Sequence, residues 1–143
     1  DISNVPMSKF NKDGLIYAPI VLGNERDIGR RKIAEAEHYI ESAPEIPGGY
    51  IDLAIAYADL EKYPQAIEAL RKALELAKSD DDRYLIYFNI AVIYLNTNKL
   101  EEAQKYIDLA KTINDNDDIA EFQSNLNHAR AAKKKPFKTN LSN

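Results

Sequence analysis

Residues 50–73 read YIDLAIAYADLEKYPQAIEALRKA, and residues 87–110 read YFNIAVIYLNTNKLEEAQKYIDLA. Laid one over the other, Tyr50, Leu53, Ala54, Tyr57, Ala66, Leu70 and Ala73 fall on Tyr87, Ile90, Ala91, Tyr94, Ala103, Ile107 and Ala110, each pair 37 residues apart. Only six of the 28 positions aligned from Tyr50 and Tyr87 are identical, but these are two tyrosines, one lysine and three alanines, at places where helices touch. A recurrence at fixed period marks a unit that cannot bury its apolar face alone and stacks on a copy of itself. The alanines at 54, 66, 91 and 103 permit close helix approach, and Tyr57 and Tyr94 fill the space between paired helices. Each copy is broken in the middle by turn residues, Glu61-Lys62-Tyr63-Pro64 in one and Asn96-Thr97-Asn98-Lys99-Leu100 in the other. Pro64 suits the first turn of a helix, where its missing N–H has no partner to lose.

At these positions the sequence resembles the tetratricopeptide repeat (TPR) family, whose pattern runs aromatic, Leu, small residue and Tyr on a first helix and Ala, Phe and Ala on a second. The resemblance covers residues 47 to about 115. It implies an all-α fold of antiparallel helix pairs in a right-handed superhelical stack, ended by a C-terminal capping helix. Two departures stand out: the period is 37 where the family has roughly 34, and the proline that closes each repeat is absent after Ala73 and Ala110. The added residues are expected around Lys78–Asp82, as an extra helical turn or a longer loop.

Outward from the repeats, Arg26–Ser42 reads as a helix in which Ile33, Ala36, Ile40 and Ala43 echo Tyr63, Ala66, Leu70 and Ala73, as in a degenerate first repeat. Pro19 and Gly23 interrupt the place of its partner helix. Downstream, Ile119, Phe122, Leu126 and Ala129 share one face of a helix that Asp117 and Asp118 can cap. The expected layout is an extended or irregular segment at 1–24, a degenerate-repeat helix at 25–46, repeats at 47–82 and 83–116, a capping helix at 117–135 and a flexible tail at 136–143.

Composition agrees with one folded domain: 143 residues, 45% hydrophobic and 29% charged, are ordinary globular values and argue against a disordered chain. The apolar run Leu15–Leu22 is broken by Pro19, too short for a bilayer span, and preceded by no basic region of the signal-peptide kind. The compartment stays open between cytoplasm and, if a signal has been removed ahead of Asp1, the cell envelope. The absence of cysteine removes disulfides and thiolate chemistry.

Catalytic and metal chemistry find no support in the motifs. His38 and His128 are the only histidines, and neither has a ligand cluster at metal spacing. Gly29-Arg30-Arg31 stands where a phosphate loop needs Gly-Lys-Ser/Thr, and Asp115-Asn116-Asp117-Asp118 is followed by neither the turn glycine nor the closing glutamate of a calcium loop. No serine lies in a nucleophile-elbow context. No enzyme activity, cofactor or metal is expected.

The resemblance implies that the first helix of each repeat lines a concave groove, facing it with Ile51, Asp52, Ile55, Ala58 and Asp59 and with Leu85, Phe88, Asn89, Val92, Leu95 and Asn96. Family members that clamp an acidic chaperone tail do so with Lys, Arg and Asn. Here only Asn89 fits, while Ile51 and Ile55 stand at the Lys and Asn places, which disfavours that ligand. Eleven of the twelve residues Tyr84–Leu95 are apolar or aromatic, so this helix needs cover on every side. That cover is either the chain itself, through Leu15–Leu22 or the capping helix, or a protein or peptide partner, or a second copy. The expected function is therefore a protein-interaction module or scaffold, with a structural or self-associating subunit as the alternative.

Charge is split along the chain. Arg130, Lys133, Lys134, Lys135 and Lys138 place +5 on the last 14 residues, leaving −9 on residues 1–129 of a chain whose total is −4. An acidic body disfavours nucleic acid, and membrane contact is open only through the basic tail. Because the lysines repel one another and Pro136 ends the helix, truncation after Ala132 is expected to leave helicity and melting temperature nearly unchanged. Circular dichroism melts of the two lengths check this; unfolding on truncation would mean that the tail is packed into the domain.

Overall fold

Helical periodicity becomes six α-helices among the described residues of the computed structural model, which comprise the backbone of residues 17–134 and the side chains from residue 27 onward. They are α1 (Tyr17–Ser42), α2 (Gly48–Asp59), α3 (Tyr63–Leu76), α4 (Asp80–Asn96), α5 (Leu100–Ile113) and α6 (Asp117–Lys134). Each helix packs antiparallel on the next, and α2–α3 and α4–α5 are the two copies of the repeat.

Helix α1 begins well before the residue expected from sequence. The segment 1–24 was expected to be irregular because of Pro19 and Gly23, but the chain is helical from Tyr17. Pro19 is the third residue of that helix, in the first turn, where no N–H is needed. Gly23 weakens a helix by about 1 kcal/mol relative to Ala without ending it. Residues 1–16 of the expected irregular segment, and the expected tail at 136–143, lie outside the described residues.

The additional residues of the 37-residue period lengthen a helix. Helices α3 and α5 have 14 residues each, whereas α4 has 17 against 12 in α2. The extension lies at the start of α4, where the Ser79 side chain accepts a hydrogen bond from the Asp82 N–H at 3.1 Å. Asp80, Asp81 and Asp82 therefore form the first turn, favourably placed against the positive end of the helix dipole, and the cap is the residue before them. In α6 the same arrangement corrects the expectation that Asp117 and Asp118 form the cap. Asp117 and Asp118 lie inside its first turn, and Asn116 supplies the cap by accepting from the Ile119 N–H at 3.0 Å.

The turns within the two repeats are built alike. The Lys62 N–H donates to the Tyr57 carbonyl at 2.9 Å and the Glu61 N–H to Ala58 at 2.9 Å; Lys99 and Asn98 do the same to Tyr94 and Leu95 at 2.8 and 3.0 Å. This is a Schellman closure, which satisfies the orphan carbonyls of a helix end by placing one residue in the left-handed region. That residue is Glu61 in the first repeat (φ 57°) and Asn98 in the second (φ 63°).

Close contact between helices rests on small residues. Ala54, Ala66, Ala73, Ala91, Ala103 and Ala110 are all buried. Gly49, near the start of α2, lies so close to α1 that a Cβ there would stand 2.8 Å from the Ile40 side chain and 3.1 Å from its backbone nitrogen. Two apolar clusters result, one centred on Leu70, Ile86 and Ile90 between α2, α3 and α4, the other on Ile107, Phe122 and Leu126 between α4, α5 and α6. Helix α4 contributes to both.

The left-handed position yields a test. Asn tolerates this conformation, whereas Glu carries the steric cost of its Cβ, so Glu61→Gly is expected to stabilise the protein by roughly 1 kcal/mol. Asn98→Ala is expected to destabilise it by a similar amount. Urea denaturation of both variants measures the two signs.

Candidate protein-binding groove

The first helices of the repeats present matching stripes. On α4, Leu85, Asn89, Val92 and Asn96 follow one another at four-, three- and four-residue steps along one face, and on α2 Asp52, Ile55 and Asp59 stand 37 residues before the last three. Between the two helices lies a cleft of about 190 Å³ walled by Ile55, Ala58, Asp59, Asn89, Val92 and Asn96, with Leu70 and Ile93 among its lining. A second cleft of about 370 Å³ adjoins it on the other side of Ile55, between α2 and α1, where Asp52 and Ile55 meet Lys32, Glu35 and Tyr39. Ile55 belongs to both clefts and is 40% exposed; Leu85, at the start of the α4 stripe, is 43% exposed.

Other residues expected in the groove are engaged elsewhere. Ile51 is 4% exposed and packs in the cluster between α2, α3 and α4, so it supports the groove from below. Phe88 is half-buried and meets the Phe122 ring of α6 edge-on at 5.7 Å, with Tyr84 at 5.9 Å on its own helix. Leu95 is half-buried and belongs to the same α6-bearing cluster. Helix α6 thus covers one flank of α4 but does not line the cleft; the expected cover through Leu15–Leu22 lies outside the described side chains. Asn89, which interrupts the apolar run Tyr84–Leu95, donates from its side-chain nitrogen to the Leu85 carbonyl at 2.8 Å, so it is satisfied within α4.

Helix α6 is held in place by polar contacts. Gln104 and Gln123 form a reciprocal amide pair at 2.8 and 2.9 Å, and Arg130 donates to the Gln104 side-chain oxygen at 2.7 Å and faces Glu101 at 3.7 Å. Arg130, grouped with the tail by charge, is therefore part of the folded body. At the other end, Asn116 donates to the Tyr84 hydroxyl at 2.9 Å. Tyr84 stands in the extended start of α4, so the longer helix of the second repeat carries the anchor for α6.

Sequence reasoning missed the α1 wall of the groove. Lys32, Glu35 and Tyr39 share a stripe on α1, but only the packing of α1 on α2 through Gly49 brings that stripe beside Ile55. Among the described residues there is no group of three or more His, Asp or Glu able to hold a metal ion, and no helix is long and apolar enough to cross a membrane.

The architecture defined so far is a stack of helical hairpins with an open face along its first helices, the build of a helical-repeat protein. Comparison with protein families makes this specific: two models of the tetratricopeptide repeat match, at residues 47–80 and 84–117. The chain carries two tetratricopeptide repeats, followed by a C-terminal helix. Such repeats are protein–protein interaction modules without catalytic function, and no enzyme family matches. Among curated proteins there is no significant match.

Phe88 separates support from contact. Phe88→Ala removes a half-buried ring from the α4–α6 interface and is expected to cost about 2 kcal/mol, below the range for a fully buried Phe. Chemical denaturation checks the loss; an unchanged midpoint would mean that α6 does not rest on this ring.

Proposed function

We propose that the chain is a protein-binding module that holds an apolar peptide segment or helix of a partner along the joined clefts of α1, α2 and α4. The observation that carries this reading is Ile55, a large aliphatic side chain left exposed where the two clefts meet. Val92 and Leu85 continue the apolar surface on α4, and full burial of such side chains stabilises a complex by roughly 1.5–3 kcal/mol each. Orientation comes from the rim. Asp52, Asp59 and Glu35 outnumber Lys32 there, and the body as a whole is acidic, so the favoured segment carries Lys or Arg beside its apolar anchors. The partner-facing set is Asp52, Ile55, Asp59, Leu85, Asn89, Val92 and Asn96, with Ile51, Phe88 and Leu95 supporting it from within. In this reading the protein assembles others by docking and performs no chemistry.

Selection of a random peptide library on the immobilised protein tests the reading. Recovered peptides are expected to combine apolar anchors with basic neighbours. Ile55→Asp and Val92→Asp are each expected to weaken them at least about tenfold, which corresponds to 1.4 kcal/mol; at the exposed Ile55 the melting temperature stays close to that of the parent, whereas at Val92, half-buried against the α5–α6 cluster, it falls. Peptides that bind both variants like the parent protein would refute the assignment of this groove.

A further inference from the structure

The two repeats differ at one position in a way that leaves a vacancy in the first. Tyr106 of α5 lies with its ring 6.2 Å from that of Tyr87 and 5.8 Å from that of Tyr94, filling the slot between these two tyrosines of α4. The equivalent slot in the first repeat lies between Tyr50 and Tyr57 of α2, and the residue 37 positions before Tyr106 is Ala69. The slot is correspondingly open. Tyr50, Leu53, Tyr57 and Ala69 line a cleft of about 440 Å³ whose rim is formed by Gln65, Glu68 and Lys72. It lies on the side of α2 away from Ile55, since Tyr50, Leu53 and Tyr57 occupy the opposite face of the helix.

We propose that this slot is a second docking site, which receives a tyrosine side chain of a protein partner in the place that Tyr106 fills within the second repeat. Three features define the occupant. The walls are two tyrosine rings and a leucine, which favour an aromatic ring in tilted or edge contact, the arrangement Tyr106 adopts with its neighbours. The rim supplies a complementary charge. Lys72 is about half exposed and paired only loosely, at 3.5 Å, with Glu75, so its ammonium is free to lie over a ring, as the Lys105 ammonium lies 5.6 Å from the Tyr106 centroid. Gln65 and Glu68 at the same rim offer acceptors for a phenolic hydroxyl, which selects tyrosine over phenylalanine. The proposal rests on the reading of the chain as a protein-binding module, but it uses another face, so the two sites can be removed separately.

The test uses N-acetyl-tyrosine amide as probe and amide NMR spectra of the whole chain as readout. In the parent protein the probe is expected to shift the signals of Tyr50, Leu53, Tyr57 and Ala69 and to saturate in the millimolar range. Ala69→Tyr fills the slot from within and is expected to abolish these shifts while raising the melting temperature. Ile55→Asp, in the other groove, is expected to leave them intact. Lys72→Glu, at an exposed position that does not threaten folding, is expected to weaken the probe by about threefold, the loss of an exposed cation–π contact. Absence of localised shifts, their persistence in Ala69→Tyr, or parent-like affinity in Lys72→Glu would each overturn the proposal. So would a concentration-dependent dimer that Ala69→Tyr dissociates, because the slot would then be closed by a second copy.

Discussion

Helix α4 sets the terms for the rest of the molecule, because eleven of the twelve residues Tyr84–Leu95 are apolar or aromatic and water is a poor neighbour for almost every side of it. Ile86, Ile90 and Ile93 enter the cluster shared with α2 and α3, and Tyr84, Tyr87, Phe88 and Leu95 pack into the cluster with α5 and α6. What remains is a strip on which Asn89 and Asn96 line the cleft, Val92 lines it while also packing against the α5–α6 cluster, and Leu85 stands exposed beyond it. Among the described residues, the groove is thus the part of an apolar helix that is left least covered. Its two asparagines moderate the strip, and one of them is satisfied by the carbonyl of its own helix.

The small residues make that coverage possible. Alanines at equivalent places in both repeats bring the second helix close to the first, and Gly49 lets the α2 backbone approach α1 at Ile40. Close approach maximises dispersion contacts between helices, and it fixes the spacing at which the stripes of α1, α2 and α4 become walls of adjoining clefts. Near-identical turns, with Glu61 and Asn98 in the left-handed region, give the two hairpins the same internal geometry. Against that shared geometry the single exchange of Ala69 for Tyr106 becomes meaningful, since one slot is filled and its counterpart is open.

Variation between the repeats is concentrated at their ends. Helix α4 starts earlier in its repeat than α2, and the added turn carries Tyr84, which takes the hydrogen bond from Asn116 and flanks Phe88. Helix α6 then lies against α5 through the Gln104–Gln123 pair and Arg130, and against α4 through Phe122. Helix α6 exposes Asn125, His128 and Lys133 and buries Phe122 and Leu126.

The sequence by itself determined the helical class, the two repeats, the break inside each and the helix that follows them. These depend on residue type at fixed spacing, and the 37-residue recurrence of Tyr, Ala and Leu or Ile states that spacing directly. It also placed Asp52, Ile55, Asp59, Asn89, Val92 and Asn96 on one side of their helices, because the face of a helical residue follows from its number. Only the tertiary structure decided which of the apolar residues on those helices remain open. Ile51 and Phe88 occupy equivalent positions and looked like groove residues, yet each is met by an element distant in the chain, Ile51 by the α3–α4 layer and Phe88 by Phe122. The same holds for the start of α1, where Pro19 reads as a breaker until the first helical turn is located around it. Burial depends on what arrives from elsewhere in the chain, and local spacing carries no record of that arrival.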